Sequence, residues 1–317
     1  MELSIICVNW NSLEYLRECI ASTYQHTHGI SFEIIVMDNA SPQGGVDALK
    51  QQFPEITIIK SENNLGFAGA NNVGFRHSSG DYVLFLNPDT KLPGPAINCM
   101  LGRIRVLPDA GIVGCKLLNS DLSVQLTSIQ KFPTILNQVL DAEYLQLRWP
   151  HCFLWEIAPL LSNDVKLLKV EVITGACMLL RREVFEQVGM FSEDYFMYAE
   201  DIDLNYKVRR AGFTNYYVGE TSIIHYGGGS SSRQQVSHWA TIMKYRAMRR
   251  LFEKTRGRLY SALYRAAMAG VAVARLMLLV LAYPLGNIVW DRGSIQFAAR
   301  KWRAVLKWAL GWPQVAI

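Results

Sequence analysis

The residues best suited to chemistry lie in a short acidic stretch, Met197–Asp203, which reads Met-Tyr-Ala-Glu-Asp-Ile-Asp. Carboxylates stand at Glu200, Asp201 and Asp203. If a helix begins at Glu200, its N-terminus favours the negative charges. A carboxylate held in this way can take the proton from a hydroxyl as a general base. The alternative is a solvated acidic helix start without a catalytic role, and the stretch alone leaves both interpretations open.

Four short apolar runs in the first part of the chain predict the strands that must position such a group. They alternate with helical patterns such as the amphipathic segment Leu13–Tyr24. Apolar runs alternating with helices are typical of an α/β fold with a doubly wound, mostly parallel sheet buried on both faces. The four runs are Leu3–Val8, Phe32–Met37, Ile56–Ile59 and Tyr82–Leu86.

Polar residues follow every one of these runs. The polar segments are Asn9–Ser12, Asp38–Pro42, Asn63–Asn72 and Asn87–Thr90. Turn formation alone explains any single one of them. Four together at the carboxyl edge of an open α/β sheet favour a nucleotide-binding cleft, because ligands bind at that edge. The sequence has neither a GxGxxG nor a Walker A motif, which argues against dinucleotide-binding and P-loop proteins.

Individual residues of these segments have the chemistry to hold a nucleotide. Asp38 can accept a hydrogen bond from a base N–H, and Asn39 beside it can donate and accept. Gly66 and Gly69 allow the backbone to approach a ligand closely, and Asn72 adds an amide.

Asp89, just past the fourth run, can bind a divalent cation that bridges to a diphosphate. Mg²⁺ typically uses only one or two protein carboxylates together with phosphate oxygens.

The rest of the chain is less regular. We expect strands at Ile112–Val113, Ser123–Ser128, Val172–Leu180, Thr214–Val218 and Ser222–Ile224, and a helix at Arg181–Val188. The aromatic segment Phe132–Trp155 fits either an acceptor-facing region or ordinary core packing. His225 follows the last of these strands and precedes a Gly/Ser segment, 227–231, of the kind that a closing lid needs.

Composition narrows the class of protein. The chain has 317 residues, of which 50% are hydrophobic and 19% charged. That allows a large core, in one domain or in one domain with an appendage. The six cysteines form no CxxC or Cys/His pattern, which argues against a zinc site or a disulfide framework and indicates a reducing compartment. No signal peptide is expected at the N-terminus.

Charge is distributed unevenly along the chain. The whole chain has 32 Lys+Arg and 27 Asp+Glu, and residues 246–317 hold 13 and 2 of these. The first 245 residues are therefore left with 19 basic and 25 acidic groups, a net charge of −6, against +11 for the tail. We accordingly predict two parts, a body at 1–245 and a basic helical tail at 246–317. Such a tail indicates an anionic partner surface.

The tail has the composition of a membrane-associating segment. Ala266–Trp290 is mostly apolar, but Arg275 lies inside it and Pro284–Gly286 interrupts it. An interfacial or re-entrant pair of amphipathic helices is therefore expected rather than a full span. Arg292–Trp312 interleaves basic residues with tryptophans, as interfacial segments do. The alternative is a helical subdomain for homo-oligomerisation. Nucleic acid is not expected as a partner, because the basic residues accompany long aliphatic runs.

An ordered set of motifs over about residues 1–255 resembles family 2 glycosyltransferases of the GT-A fold, and most of all bacterial rhamnosyltransferases of O-antigen and cell-wall polysaccharide assembly. The matching segments are Val8–Asn11, Asp38–Ser41, Asn64–Gly69, Leu86–Thr90, Gly175–Leu179, Tyr198–Leu204 and His225–Gly228. The Gln235–Trp239 segment does not match the Gln-x-x-Arg-Trp motif of processive synthases in the same clan. The resemblance therefore implies addition of one sugar, or very few.

The resemblance also implies roles for individual residues. Nucleoside contacts are implied for Asn9, Asn11, Asp38 and Asn39, and the base and ribose pocket for Asn64, Gly66, Gly69 and Asn72. A divalent metal, Mg²⁺ or Mn²⁺, would be bound by Asp89 and His225. Asn87 replaces the first carboxylate of the family's Asp-x-Asp motif at the donor site. Asp201 matches the general base, and Glu200 is expected to contact the acceptor or to begin the helix.

Together these features predict an inverting glycosyltransferase. We expect it to transfer one sugar, L-rhamnose from dTDP-rhamnose, to a hydroxyl of a lipid-linked or polysaccharide acceptor. A UDP-sugar is the alternative donor. The expected location is the cytoplasmic face of the bacterial inner membrane, as a peripheral protein, or the cytoplasm. The alternative from another class is a catalytically inactive nucleotide-sugar-binding scaffold at the membrane.

Overall fold

The computed structural model describes residues 1–162, 164–227, 238–283 and 292–312. The chain divides into two units by its internal contacts. Unit 1 comprises Met1–Phe132 and Gln146–Gln234, and unit 2 comprises Pro133–Leu145 and Gln235–Ile317. Three sequence-based expectations fall wholly or mostly outside the described residues: the Gly/Ser segment beyond Gly227, the Gln235–Trp239 segment and the Pro284–Gly286 interruption.

Unit 1 begins with the predicted parallel strands. They are β1 (Leu3–Asn9), β2 (Phe32–Asp38), β3 (Thr57–Lys60) and β4 (Tyr82–Leu86). β1 pairs in parallel with both β2 and β4, and β2 pairs in parallel with β3. The intervening helices are α1 (Leu13–His26), α2 (Leu49–Gln52), which follows a 3-10 turn at Val46–Ala48, and α3 (Gly66–Arg76). The structure thus confirms the four predicted strands.

The remaining strands of unit 1 either extend the main sheet or form a separate sheet of two strands. The strands are β5 (Thr90–Lys91), β6 (Ala110–Leu118), β7 (Ile129–Gln130), β8 (Leu167–Val170), β9 (Val172–Ile173), β10 (Cys177–Arg181) and β11 (Thr214–His225). The helices after α3 are α4 (Ala96–Val106), α5 (Ile135–Val139), α6 (Glu143–Arg148), α7 (Ala158–Leu161), α8 (Arg182–Gln187) and α9 (Glu200–Arg210), of which α5 belongs to unit 2 and α6 is divided between the units.

The main sheet has the order β3-β2-β1-β4-β10-β6-β11-β5, with β8 paired to β11. β10 runs antiparallel to both neighbours, β4 and β6, whereas β11 runs parallel to β6. The sheet is therefore mixed and mostly parallel, flanked by helices, as the α/β prediction requires. Consecutive residues of β1 such as Ile5 and Ile6 are both fully buried, which shows that both sheet faces are covered.

Four predicted strands differ from the structure for local reasons. The Ser123–Ser128 prediction is wrong, because side chains bond the local backbone there and form turns, leaving only a bridge between Leu118 and Val124. Val172–Leu180 is split into β9 and β10, because the Gly175 N–H donates to Asp201 instead of to a neighbouring strand. Thr214–Val218 and Ser222–Ile224 form one strand, β11, whose register shifts between them.

Unit 2 is built on three long helices, α10 (Trp239–Arg256), α11 (Arg258–Ala282) and α12 (Arg292–Leu310). Gly257, with φ of +87°, separates α10 from α11. The Tyr264 ring of α11 packs edge-on against Trp308 of α12, and the Arg265 guanidinium donates to the Ala309 carbonyl. Within the described ranges, Arg258–Leu281 is the one helix long and apolar enough to cross a membrane, with a mean hydropathy of 1.7.

Candidate functional site

The loops after β1 and β2 are joined by buried amide and carboxylate groups. Asn9 is 1% exposed. Its Nδ2 donates to Asp38 Oδ1 at 2.7 Å and to Ser41 Oγ at 3.1 Å. Its Oδ1 accepts from the backbone N–H of Ser12 at 3.2 Å. Asn9 therefore orients Asp38 through hydrogen bonds within the protein, and the Asp38 carboxylate is the group of this pair suited to a ligand.

A second pair of amides extends this network toward α3. Asn39 Nδ2 donates to Asn64 Oδ1 at 2.9 Å, and Asn39 Oδ1 accepts from the Leu65 N–H at 2.8 Å. Asn64 Oδ1 also accepts from the Gly66 N–H at 2.9 Å, while its side chain is exposed. The buried Asn39 side chain thus joins the loop after β2 to the start of α3, and Asn64 presents its amide group at the surface.

Two further predicted site residues, Asn11 and Gly69, shape the loops of the site. Asn11 adopts a left-handed φ of +55°, and its Oδ1 accepts from the Gln43 N–H at 3.2 Å. Gly69 lies buried in α3, where a Cβ would stand 3.1 Å from the Leu65 Cβ. Asn11 therefore links the β1 and β2 loops, and Gly69 makes room for Leu65 at the start of α3.

Helix α3 packs closely against, and is hydrogen-bonded to, the segment that leads into the acidic stretch. Gly66 has φ of +71°, and a Cβ on it would lie 2.3 Å from the Phe196 carbonyl oxygen. Asn72 is 1% exposed, and its amide donates to the Phe191 carbonyl and Glu193 Oε1, both at 2.9 Å. Asn72 Oδ1 accepts from the Phe191 N–H at 3.1 Å. The Asn72 amide thus supports the loop through both its donor and its acceptor groups.

The acidic stretch begins α9, as expected. Tyr198 and Ala199 precede it with φ of +71° and +65°, and two successive left-handed residues that are not glycine store backbone strain. Asp201 Oδ2 accepts from the Gly175 N–H at 2.8 Å, and Oδ1 accepts from the Ile202 N–H at 2.8 Å. The chain thus fixes the Asp201 carboxylate with backbone donors and keeps it partly exposed.

The pKa values of the two neighbouring carboxyls are shifted upward. Burial raises the pKa of Asp201, against the lowering effect of the Gly175 and Ile202 N–H groups. Burial, and then the charge on Asp201, raise the pKa of Glu200 to about 8. Glu200 Oε2 is buried and has no hydrogen-bond partner in the part of the chain that the structure describes. Glu200 is therefore held mainly in its protonated form at neutral pH.

Asp203 and Asn205 anchor α9. Asp203 is 2% exposed and accepts from the Ser192 and Tyr195 hydroxyls, so this third carboxylate has a structural role within the protein. Asn205 donates to the carbonyls of Ile173 and Asp201 at 2.8 Å and accepts from the Ile173 N–H at 2.9 Å. Sequence reasoning missed Asn205. Its signal is an amide on the buried face of the helix, four residues after Asp201.

The candidate metal ligands meet at the end of β11. His225 Nε2 lies 3.3 Å from Asp89 Oδ1 and 3.3 Å from Asn87 Nδ2, and the Asp89 and His225 side chains are 11% and 17% exposed. On the other side of the ring, Nδ1 lies 3.0 Å from Gln125 Oε1. The sequence-based analysis also missed Gln125, which is a hundred positions away in the chain.

These residues fit a divalent cation. A carboxylate oxygen and an imidazole nitrogen 3.3 Å apart are close to the ~3 Å that separates adjacent ligands in an octahedral site with ~2.1 Å bonds. Within the described ranges no cluster of three or more His, Cys, Asp or Glu side chains is present. Two protein ligands are enough for a cation that is also bound by phosphate oxygens.

Short connections join the candidate base to the candidate metal ligands. The Asn87 N–H donates to the Ala176 carbonyl at 2.9 Å, and Ala176 follows Gly175, whose N–H donates to Asp201. On the other side, the Phe67 N–H donates to the Phe196 carbonyl at 3.2 Å and links α3 to the segment before α9. The site residues of unit 1 thus form one continuous edge.

The aromatic segment Phe132–Trp155 contains both core residues and exposed residues. Trp155 is 9% exposed and packs in the core, whereas Trp149 and Phe153 are 54% and 77% exposed. Arg148, Trp149 and neighbouring residues up to Trp155 line a cavity of about 430 Å³. The segment therefore offers an open aromatic surface in addition to core packing.

Comparison with known proteins agrees with this architecture. The chain is similar to N-acetylglucosaminyl-diphospho-decaprenol L-rhamnosyltransferase of Mycobacterium tuberculosis, at 28% identity over 257 residues, 76% of this chain and 81% of that protein. It is also similar to rhamnosyltransferase WbbL of Escherichia coli, at 26% identity over 237 residues, 70% of this chain and 82% of that one.

Among solved structures, the chain is similar to mannosyltransferase PcManGT from Pyrobaculum calidifontis in complex with GDP-Man and Mn²⁺. The TM-score is 0.58 at 16% identity, over 98% of this chain and 86% of that one, which shows a common GT-A-like fold. The sequence model of the family described as glycosyl transferase family 2 matches residues 4–189, which is more than half of the chain. The chain therefore belongs to glycosyl transferase family 2.

Proposed function

We propose that this family 2 glycosyltransferase inverts the anomeric centre and transfers a single L-rhamnose from dTDP-rhamnose to a hydroxyl of a lipid-linked acceptor. The observation that supports the proposal is the Asp201 carboxylate, which two backbone N–H groups fix in the first turn of α9. The two relatives named as rhamnosyltransferases support the choice of sugar. A lipid-linked acceptor is supported by the decaprenol in the name of one of them.

In the proposed reaction Asp201 is the general base. A carboxylate has about four lone-pair positions. The Gly175 and Ile202 N–H groups use one on each oxygen, so lone pairs remain for the acceptor hydroxyl. As the acceptor oxygen forms its bond to the anomeric carbon, its proton passes to Asp201 and the bond from that carbon to the diphosphate breaks. Attack opposite the leaving group inverts the centre without a covalent intermediate.

The other residues of the edge would hold the donor. Asp38, oriented by Asn9, is placed to accept from the N–H of a thymine or uracil base. Asn64 contributes an exposed amide. Asp89 and His225 would bind Mg²⁺ or Mn²⁺, which stabilises the charge that develops on the departing diphosphate. Asn87 adds an amide beside them in place of a second carboxylate. Glu200 is mainly protonated and 6% exposed, and we propose that the remaining exposed part of its side chain contacts the acceptor.

We also propose that unit 2 binds the anionic cytoplasmic face of a membrane. The exposed side chains of α11 include Leu263, Met277 and Leu278, and α12 exposes Arg303 and Lys307. Each basic residue near an anionic leaflet contributes ~1 kcal/mol. The variant Arg303→Ala/Lys307→Ala should therefore bind anionic vesicles about 30-fold more weakly in a flotation assay.

A matched control for the membrane assay removes two exposed basic residues of unit 1, in the variant Lys50→Ala/Arg76→Ala. This control should float like the wild type. If both double variants float like the wild type, membrane docking through α12 is wrong. Self-association of the wild type without vesicle binding would favour the oligomerisation alternative.

A donor panel tests the proposed activity. The purified protein is incubated with dTDP-rhamnose, UDP-sugars or GDP-mannose and a prenyl-diphosphate-linked N-acetylglucosamine acceptor, with and without Mn²⁺. We expect metal-dependent transfer from dTDP-rhamnose, with product of inverted anomeric configuration by NMR. Transfer from a UDP-sugar alone would replace the donor assignment. Donor binding without transfer or hydrolysis would establish the inactive scaffold, an alternative that Asn87 supports weakly and that Asp89, Asp201 and His225 oppose.

A further inference from the structure

Gln125 contacts His225 through both ends of its amide. Gln125 Nε2 lies 2.5 Å from the carbonyl oxygen of His225, and Gln125 Oε1 lies 3.0 Å from the His225 Nδ1. The other ring nitrogen, Nε2, faces Asp89 Oδ1 and Asn87 Nδ2 at 3.3 Å each. The Gln125 side chain thus contacts both the backbone and the ring of His225.

These contacts determine which ring nitrogen carries the proton. A carbonyl oxygen only accepts, so the NH₂ end of the Gln125 amide must face the His225 carbonyl. The Oε1 of Gln125 then faces Nδ1, and this oxygen also only accepts, so Nδ1 must donate. In the neutral imidazole the lone pair is consequently on Nε2, the nitrogen that faces Asp89.

The backbone of Gln125 is itself fixed. Its N–H donates to the Leu117 carbonyl at 2.9 Å, and its carbonyl accepts from the Ser128 N–H at 3.1 Å and from the Ser128 hydroxyl at 2.7 Å. Ser128 is 1% exposed, and its Oγ accepts from the Leu117 N–H at 3.1 Å. The turn that carries Gln125 is therefore tied to β6.

We propose that Gln125 is a positioning residue that fixes the tautomer and the orientation of His225, so that the Nε2 lone pair points at the cation position beside Asp89. Histidines that bind metals usually donate the other ring N–H to a second group that sets the tautomer. A neutral Nε2 and the Asp89 oxygen place two electron pairs face to face at 3.3 Å, an arrangement that a cation stabilises. The inference rests on the metal site of the proposed function.

Two substitutions separate this role from simple packing. Gln125→Met has a similar length and removes the acceptor for Nδ1. Gln125→Glu keeps an acceptor for Nδ1 but sets a carboxylate oxygen against the His225 carbonyl. A purely structural role predicts that Gln125→Glu is the more damaging change. The positioning role predicts the opposite order for metal binding.

The test measures binding of Mn²⁺ by the full-length protein in the presence of dTDP, from the electron paramagnetic resonance signal of free Mn²⁺. We expect Gln125→Met to weaken Mn²⁺ binding by about 10- to 100-fold, and Gln125→Glu to bind like the wild type within about threefold. A second readout is the tautomer of His225 in the metal-free protein, from ¹⁵N-histidine NMR assigned with His225→Asn. Nδ1 should carry the proton in the wild type, and Gln125→Met should remove this preference.

The outcomes separate the two claims. Equal Mn²⁺ affinity of the wild type and Gln125→Met would overturn the role of Gln125, as would a wild-type His225 with its proton on Nε2. Absence of Mn²⁺ binding by the wild type would instead overturn the metal site on which the role depends. Sugar transfer in the donor panel would remain a separate measurement.

Discussion

The raised pKa of Glu200 makes the stability of the protein depend on pH, and the substitution Glu200→Gln should remove that dependence. Burial and the neighbouring Asp201 raise the pKa of Glu200 from 4.5 to about 8 in the folded chain. Between these values the folded state binds more protons than the unfolded state. The free energy of unfolding of the wild type should therefore fall as the pH rises through this window.

The size of the effect follows from the shift. One pKa unit corresponds to ~1.4 kcal/mol. A shift from 4.5 to about 8 therefore lowers the free energy of unfolding of the wild type by about 5 kcal/mol at pH 9, relative to a side chain that stays neutral. At pH 5 the same effect is less than ~1 kcal/mol. A glutamine side chain of the same size is neutral throughout. The stability advantage of Glu200→Gln over the wild type should accordingly grow by about 4 kcal/mol between pH 5 and pH 9.

Urea unfolding of both proteins at pH 5, 7 and 9 provides the assay, because the free energy of unfolding is read by linear extrapolation. Glu183→Gln, at an exposed glutamate of α8, is the matched control for loss of a carboxylate. A difference between Glu200→Gln and the wild type that is the same at all three pH values would refute the reasoning, because the Glu200 carboxyl would then titrate alike in both states.

Two further predictions concern the loops that position the site. Gly66→Ala should destabilise the fold by about 2 kcal/mol or more, because φ is +71° and the new Cβ would collide with the Phe196 carbonyl. Thermal unfolding tests this prediction. The control is Gly94→Ala, whose new Cβ meets open space and which should unfold near the wild-type temperature. Asn205→Ala should lower the free energy of unfolding in urea by about 3 kcal/mol, because it leaves the buried N–H and carbonyl of Ile173 without their side-chain partner. A loss below ~0.5 kcal/mol would show that these two hydrogen bonds are unimportant for stability.

The sheet and its functional edge could be predicted because they follow from local patterns. Runs such as Ile34–Met37, the buried part of β2, are apolar throughout, which a strand buried on both faces requires. The polar residues that follow them lie at the carboxyl edge whatever their detailed contacts. The acidic stretch likewise begins a helix, and Asp201 stands in its first turn.

The partners of individual side chains could not be predicted, because they depend on distant parts of the chain. The sequence shows that Asn9, Asn39 and Asn72 are amides, but not that their hydrogen bonds are used within the protein. Gln125 meets His225 only once the turn after β6 is placed beside β11. The Ser123–Ser128 strand failed for a related reason, since hydroxyl and carboxylate side chains compete with strand pairing there.

The most direct test of the account is the transfer rate of Asp201→Asn, measured in a single turnover beside its affinity for the donor. Asp47→Asn, at an exposed carboxylate, is the control and should behave as the wild type in both measurements. We predict that Asp201→Asn binds dTDP-rhamnose within about threefold of the wild type and loses transfer by about 10²- to 10⁴-fold, the usual contribution of a general base. Transfer by Asp201→Asn at the wild-type rate would contradict the assignment of Asp201 as the base and, with it, the proposed mechanism.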